Sequence, residues 1–353
     1  MHSNLTVVKI GSNVLVDEKG EVRSKIIAQV FALAQKKMQE GEKVLLVTSG
    51  AVAIGTRKNA GQTLDKKLAA GIGQMHLMSA YLKAAEKLNL KVSELLLARP
   101  HLVEREHFLR LQESVNNAFN HNIIPIVNEN DTLVYGTDWG FPDNDTLAAS
   151  LAIAFGAQKL IILSHVAGLY NSDPETDKSA KLIVEVIDVN AELLKYCTGE
   201  IGEDSRGGML TKLKAARLCT AVGIMVQIVD GFSISAVTRA LQNKKAGTIF
   251  LPRRLKKQVK NRERWLLAAR SSAASIEIDE GALKALAMGK SLLAVGIKKI
   301  YGEFAAEDLV EVVDKDRVSV AIGKVDIDSQ SLAAVKNKKG LQVMHADNLM
   351  VFV

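Results

Sequence analysis

Several short polar strings, each closing an apolar run, carry the residues in this chain that could do chemistry. Lys9-Ile-Gly11-Ser12-Asn13 follows the first of them. A glycine with small polar neighbours lets backbone N–H groups approach an anion, and Lys9 adds a positive charge beside them. Thr48-Ser49-Gly50-Ala51 closes a second run and opens a helical pattern, whose N-terminus favours a carboxylate or phosphate. Asn128-Glu129-Asn130-Asp131-Thr132 and then Asp143-Asn144-Asp145 place four acids and three amides around one strand end. That is more than turn formation and helix capping require. Such a cluster suits an ammonium group, a hard cation or the orientation of lysines. Ser164 and His165 follow another run, and Arg206-Gly207-Gly208-Met209-Leu210-Thr211-Lys212 opens a helical stretch with paired glycines and a lysine about one turn in, a pattern that would suit a nucleotide's phosphates.

Other strings exclude common chemistries. Gly289-Lys290-Ser291 has Lys284 where a phosphate-binding loop requires its first glycine, and Gly71-Ile72-Gly73 has His76 in place of a third glycine. No Gly-x-Ser-x-Gly elbow is present. His76, His101, His107, His121 and His345 lack metal-ligand spacing, so no protein-bound metal site is expected. Cys197 and Cys219 cannot form a disulfide framework.

The elements that must hold these strings follow from periodicity. Apolar, β-rich runs at 5–10, 43–48, 91–97, 122–127, 158–163 and 224–229 alternate with amphipathic stretches, the pattern of a parallel sheet with crossover helices. Ile26, Ile27, Val30, Phe31, Ala34 and Met38 form one helical face between Ser24, the expected N-cap, and Gly41. From residue 275 onward the segments shorten and glycine recurs, with strands expected at 309–313 and 318–322 in a small β-rich domain. The expected organisation is a domain over 1–252, a basic linker over 253–274 and a second domain over 275–353. Of the net charge of +7, all but one unit falls between Arg253 and Arg264, which hold seven basic residues and one acid. The basic balance is therefore local, a solvated linker or a phosphate-binding patch. The first residues lack the basic stretch and apolar core of a signal peptide, and no run reaches the ~20 residues of a bilayer span. A cytoplasmic protein with no membrane role is expected.

Taken in order, Val-Val-Lys9-Ile-Gly-Ser, Val-Thr-Ser49-Gly-Ala, Val-Asn128-Glu-Asn-Asp131-Thr, Asp143-Asn144-Asp145, Gly168-Leu-Tyr, Asp173-Pro and Gly207-Gly-Met-Leu-Thr-Lys212 resemble the amino acid kinase family. The tail, with Ile278-Asp-Glu-Gly-Ala, Gly289-Lys-Ser-Leu-Leu and Gly296-Ile, resembles a PUA domain. The resemblance implies a three-layer αβα sandwich with a mainly parallel sheet, followed by a small PUA-like β-barrel. It implies transfer of the γ-phosphoryl group of ATP, with Mg²⁺, to the γ-carboxylate of L-glutamate, as in proline biosynthesis. It makes Lys9, Lys212 and Asp145 catalytic. Ser49, Gly50, Asn128, Asp131, Asp143 and Asn144 would hold glutamate. Lys9, Gly11, Ser164, His165 and the loop from Arg206 through Gly207, Gly208, Met209, Leu210 and Thr211 to Lys212 would hold ATP. It also implies a homo-oligomer, a dimer or tetramer, and contact with the γ-glutamyl phosphate reductase that consumes the product. His165 and Ala167 stand where the family carries two carboxylates, and Pro142 and Arg206 also depart from its pattern. The alternatives are another acceptor of the same family, or a lapsed kinase whose PUA-like domain binds RNA. Aromatic residues at 5% offer few stacking platforms for the latter.

Overall fold

The computed structural model describes residues 4–137, 139–174, 176–190, 193, 208–253, 259–269, 274–315, 317, 319–336 and 338–351. Arg206, Gly207, Cys197 and the middle of the basic run lie outside them. The chain divides into two compact units, Met1–Arg264 and Trp265–Val353. The division falls within the stretch expected to be a linker, which also holds a helix, Asn261–Ala269.

The first unit is built on one eight-stranded sheet. Its strands are β1 (Leu5–Ile10), β2 (Lys43–Val47), β3 (Lys91–Leu97), β4 (Ile123–Glu129), β5 (Lys159–Ser164), β6 (Glu185–Val186), β7 (Met225–Asp230) and β8 (Thr248–Phe250). They lie in the order β3-β4-β2-β1-β5-β7-β8-β6, and every neighbouring pair is parallel except β7 with β8. Every residue of β1 and β5 is buried, as central parallel strands covered on both faces must be. The strands read from the sequence are all present, with ends shifted by a residue or two. Strands β6 and β8 were not legible, being too short to show a period, and β8 supplies the one antiparallel pairing.

Alternation along β1 sends Val8 and Ile10 to one face and Lys9 to the other. The first face packs under α1 (Ser24–Gln39), α3 (Lys66–Lys87) and α6 (Ile234–Leu241), where Ile27, Phe31, Leu77, Tyr81 and Val237 join Val8 and Ile10 in one core. The opposite face carries α4 (Asn144–Ala154), which lies against β1 and β5, and α5 (Met209–Ala221), which packs on α4. From Leu147 to Ala154 every residue of α4 is buried, the mark of a helix enclosed on all sides. The result is the expected αβα sandwich. One local expectation needs correction: Ser24 is the first helical residue of α1, preceded by Arg23, with no side-chain cap.

Helix α2 (Ala51–Lys58) crosses α3 so closely that a Cβ at Gly55 would lie 1.8 Å from the carbonyl oxygen of Ala69, and one at Gly73 equally close to that of Ala51. Gly73, half of a discarded nucleotide fingerprint, is a helix-packing residue.

The second unit has its own core, including Ile276, Ile278, Leu286, Val310, Val312, Val320, Leu332 and Val343. Its sheet runs Ile297–Tyr301, Ser275–Ile278, Leu309–Val313, Ser319–Lys324, Leu349–Val351, with a separate pair formed by Leu292–Leu293 and Gln342–Met344. Ser275–Ile278 and Leu309–Val313 are parallel and their neighbours antiparallel.

Candidate functional site

The strand order places the site. The chain leaves β1 toward β2 on one side and leaves β5 toward β7 on the other, so the crevice outside the carboxyl ends of β1 and β5 is the switch point where open parallel sheets bind ligands. Lys9 comes from β1, Asp145 from the first turn of α4 and Lys212 from the first turn of α5. Lys9 Nζ lies 2.7 Å from Asp145 Oδ1, and Lys212 Nζ lies 3.1 Å from Oδ2. Thr211 Oγ1 also donates to Oδ2 at 3.0 Å. Asp145 is 0% exposed and each lysine 5%.

Three charges buried together constrain one another. Burial alone would push the Asp145 carboxyl upward, but the ammonium groups of Lys9 and Lys212 outweigh it and hold the carboxyl below its ordinary range. Lys212 is pushed down, first by burial and also by Lys9, with Asp145 offsetting part of the shift. Its place in the first turn of a helix is also the wrong end of the dipole for a cation, and Asp145, then Asp143, oppose both effects. Two ammonium groups share one carboxylate at the carboxyl edge of the sheet, with Asp143 also acting on both, an arrangement whose N–H donors can meet an anion.

Beside this trio opens a cavity of about 620 Å³, lined among others by Lys9, Ser49, Gly50, Asp131, Asp143, Asn144 and Asp145. Gly50 takes φ +105 at the start of α2, and a Cβ there would lie 2.8 Å from Val16 Cγ2, so only glycine fits. It turns the chain so that α2 presents its free N–H groups at the cavity rim. Ser49 Oγ donates to the Ile10 carbonyl at 2.8 Å, tying this turn to the end of β1. Asp143 caps α4 by accepting from Thr146 N at 2.8 Å. Its carboxyl is raised, first by burial and then by the neighbouring negative charge of Asp145. Asn128 is 1% exposed and sits behind the cavity wall, accepting from Asn144 Nδ2 at 3.1 Å. Among the described residues no group of three or more His, Cys, Asp or Glu side chains is arranged to hold a metal, so the acids line the cavity without converging.

The residues expected to hold a nucleotide form a looser set. Gly11 and Ser164 close β1 and β5; Gly11 N donates to the Leu163 carbonyl at 3.1 Å. Ser164 Oγ is buried and has no hydrogen-bond partner among the described residues. His165 is exposed in the following loop. Gly208, Met209 and Leu210 open α5, whose first N–H groups are free for phosphate oxygens. Of the described residues in this set, only Lys9 lines the cavity.

Sequence reasoning missed three cavity residues of note. Arg57 donates to the Asp17 carbonyl at 2.7 Å, Lys66 stands 5.5 Å over the Tyr135 ring, and both cations with Tyr135 line the cavity. They lie at the far end of α2, the start of α3 and beyond β4. No spacing rule connects them; only the helix crossing brings them together.

The chain matches the model of the amino acid kinase family over residues 4–230 and that of the PUA domain over residues 274–346. It is 36% identical over 338 residues to the glutamate 5-kinase of Pelagibacter ubique, covering 94% of this chain and 91% of that one. The glutamate 5-kinase of Prochlorococcus marinus subsp. pastoris is 35% identical over 356 residues, covering 97% and 98%. That of Vibrio vulnificus is 34% identical over 364 residues, covering 98% and 95%. Among solved structures, a carbamate kinase from Giardia lamblia bound to AMP-PNP superposes with a TM-score of 0.51 at 18% identity, covering 70% of this chain and 98% of that one. An isopentenyl phosphate kinase superposes at 0.50 with 14% identity, covering 70% and 99%. These two share the fold of the first unit.

Proposed function

Because this chain belongs to the amino acid kinase family, we propose that it transfers the γ-phosphoryl group of MgATP to the γ-carboxylate of L-glutamate, giving γ-glutamyl phosphate and ADP. The observation that carries this reading is Asp145 held between Lys9 and Lys212 beside an acid-lined cavity. The two ammonium groups suit a phosphoryl group, and the acidic lining suits an ammonium.

The chemistry needs no general base. A γ-carboxyl with an ordinary pKa of ~4.3 is ionised at neutral pH. One of its oxygens forms a bond to the γ-phosphorus, the bond from that phosphorus to the bridging oxygen breaks, and the electron pair leaves on ADP. Positioning and charge neutralisation then supply the catalysis. Lys9 and Lys212 neutralise the oxygens of the moving group, and Asp145 holds both ammonium groups in place. Asp131 and Asp143 face the substrate ammonium, while Ser49, Gly50 and the N–H groups opening α2 face a carboxylate. Ser164 Oγ, His165 and the N-terminus of α5 serve the nucleotide. Mg²⁺ enters as part of MgATP, in keeping with a cation that binds through phosphates and few protein carboxylates.

The product is a labile acyl phosphate, so the next enzyme of proline biosynthesis would be a reductase able to take it directly. Assembly into a homo-oligomer and residence in the cytoplasm belong to the same proposal; among the described residues no helix is long and apolar enough to cross a membrane. An acceptor panel tests the reading. ADP release with L-glutamate, and none above background with L-aspartate, N-acetyl-L-glutamate, carbamate or uridylate, is the expected outcome. Turnover of one of the others in its place would reassign the acceptor, and no turnover with any would remove the kinase reading.

A further inference from the structure

Behind the acceptor side of the cavity runs a chain of amide side chains whose polarity is set from the protein surface. Glu94 on β3 is exposed, and its Oε1 accepts from Nε2 of Gln74 on α3. Gln74 Oε1 accepts from Asn128 Nδ2 at 2.8 Å. Asn128 Oδ1 accepts from Asn144 Nδ2 at 3.1 Å, and the same Asn144 nitrogen donates to the Thr48 carbonyl at 2.9 Å. Asn144 Oδ1 is then left buried with no hydrogen-bond partner among the described residues, on a residue that lines the cavity.

Each orientation follows from the one before. A carboxylate only accepts, so Glu94 draws the NH₂ of Gln74 toward itself and turns the Gln74 carbonyl to Asn128. Asn128 must then offer its NH₂ to Gln74 and its carbonyl to Asn144. The NH₂ of Asn144 is thereby engaged twice, and its carbonyl is what remains for a ligand. A buried acceptor without a partner is costly, and an N–H donor of the bound acceptor would satisfy it.

We propose that Glu94 and Gln74 are positioning residues that fix, through Asn128, the amide face that Asn144 presents to the ammonium group of the amino acid acceptor. The inference rests on the glutamate reading above. Glu94→Lys puts a donor where the relay requires an acceptor. Gln74 then turns its carbonyl to the lysine and its NH₂ to Asn128, and Asn128 is driven to set NH₂ against the NH₂ of Asn144. Adding Gln74→Glu restores the polarity, because a carboxylate at 74 accepts from both the lysine and Asn128.

Steady-state kinetics on the full-length protein test this. Glu94→Lys is expected to raise KM for glutamate about tenfold, the scale of one misdirected hydrogen bond to a charged group, with kcat and KM for ATP unchanged. The double variant Glu94→Lys, Gln74→Glu is expected to return KM to the wild-type value. An unchanged KM in the single variant, a parallel fall of kcat, or no recovery in the double variant would overturn the relay. If the wild-type protein does not turn over glutamate, the functional reading fails separately. The relay is then decided by the side-chain amide resonances of Asn128 and Asn144, which the single variant must shift and the double variant return.

Discussion

The acceptor side and the nucleotide side of this centre differ in how many partners fix each side chain. On the acceptor side Ser49, Asn128, Asp143 and Asn144 all hold hydrogen bonds to backbone or to one another. On the side proposed for the nucleotide Ser164 Oγ is buried without a hydrogen-bond partner among the described residues and the His165 side chain is exposed, while Lys9, Thr211 and Lys212 are held by Asp145 and glycine turns and a helix start supply backbone N–H groups. A small acceptor distinguished by an ammonium and two carboxylates needs side chains already in place before it arrives. A triphosphate can be gripped by backbone N–H groups, which no side-chain substitution removes. On the proposed reading the acceptor side would carry selectivity, and the nucleotide side would work with His165 and Ala167 in place of the family's two carboxylates.

Asp145 belongs to both sides, and removing its charge would disable both at once. Asp145→Asn removes the one carboxylate bonded to both buried ammonium groups and is expected to destabilise the first unit by about 3–5 kcal/mol. Chemical denaturation measures the loss, and kcat is expected to fall with it. Lys212→Met is milder for folding, because Lys9 and Asp145 remain paired. It is expected to lower kcat by about 10²–10³, the scale of one lost electrostatic stabiliser, with both KM values near wild type in initial-rate measurements. The intact enzyme should also lose activity on the alkaline side earlier than an ordinary lysine would dictate, since burial lowers the Lys212 pKa and the charged form is the active one.

Asp143→Asn sharpens the contrast. The folded-state pKa of Asp143 is raised, so its ionised form works against stability at neutral pH, a penalty relieved as pH falls through that pKa. Asparagine keeps the helix cap and removes the charge. The variant is expected to melt about 2 °C higher while KM for glutamate rises roughly tenfold. A lower melting temperature would show that the carboxylate is there for the fold. Ser164→Ala should have the smallest effect, a rise in KM for ATP of about two- to threefold, the lower end of the ~0.5–1.5 kcal/mol of a single neutral hydrogen bond, because backbone N–H groups would share the nucleotide's oxygens.

The parts of this centre that could be read from the sequence sit at strand ends. Lys9, Ser49, Asn128 and Ser164 each close a buried apolar run, and a parallel sheet must gather such ends along one edge. Asp143 and Asp145 were legible because an acidic helix start, added to the acids and amides that end the preceding strand, exceeds what capping requires. Other residues gave no local sign. Gln74 and Glu94 stand in no polar string of the sequence, and only the packing of α3 together with the register of β3 beside β4 brings them into line with Asn128. Arg57, Lys66 and Tyr135 reach the cavity through the close crossing of α2 and α3, which depends on Gly55 and Gly73. Strands β6 and β8 were missed because two or three residues show no period.

The proposed step is attack of a γ-carboxylate oxygen of glutamate on the γ-phosphorus of ATP between Lys9 and Lys212. Its most direct test supplies L-glutamate labelled with heavy oxygen in the γ-carboxylate and traps the product with hydroxylamine, which cleaves the acyl carbon from its bridging oxygen. Phosphate released with one heavy oxygen per hydroxamate formed, and lost together with the hydroxamate in Lys212→Met, is the expected result. Phosphate released without the label would mean that water attacks ATP instead, and would contradict the mechanism.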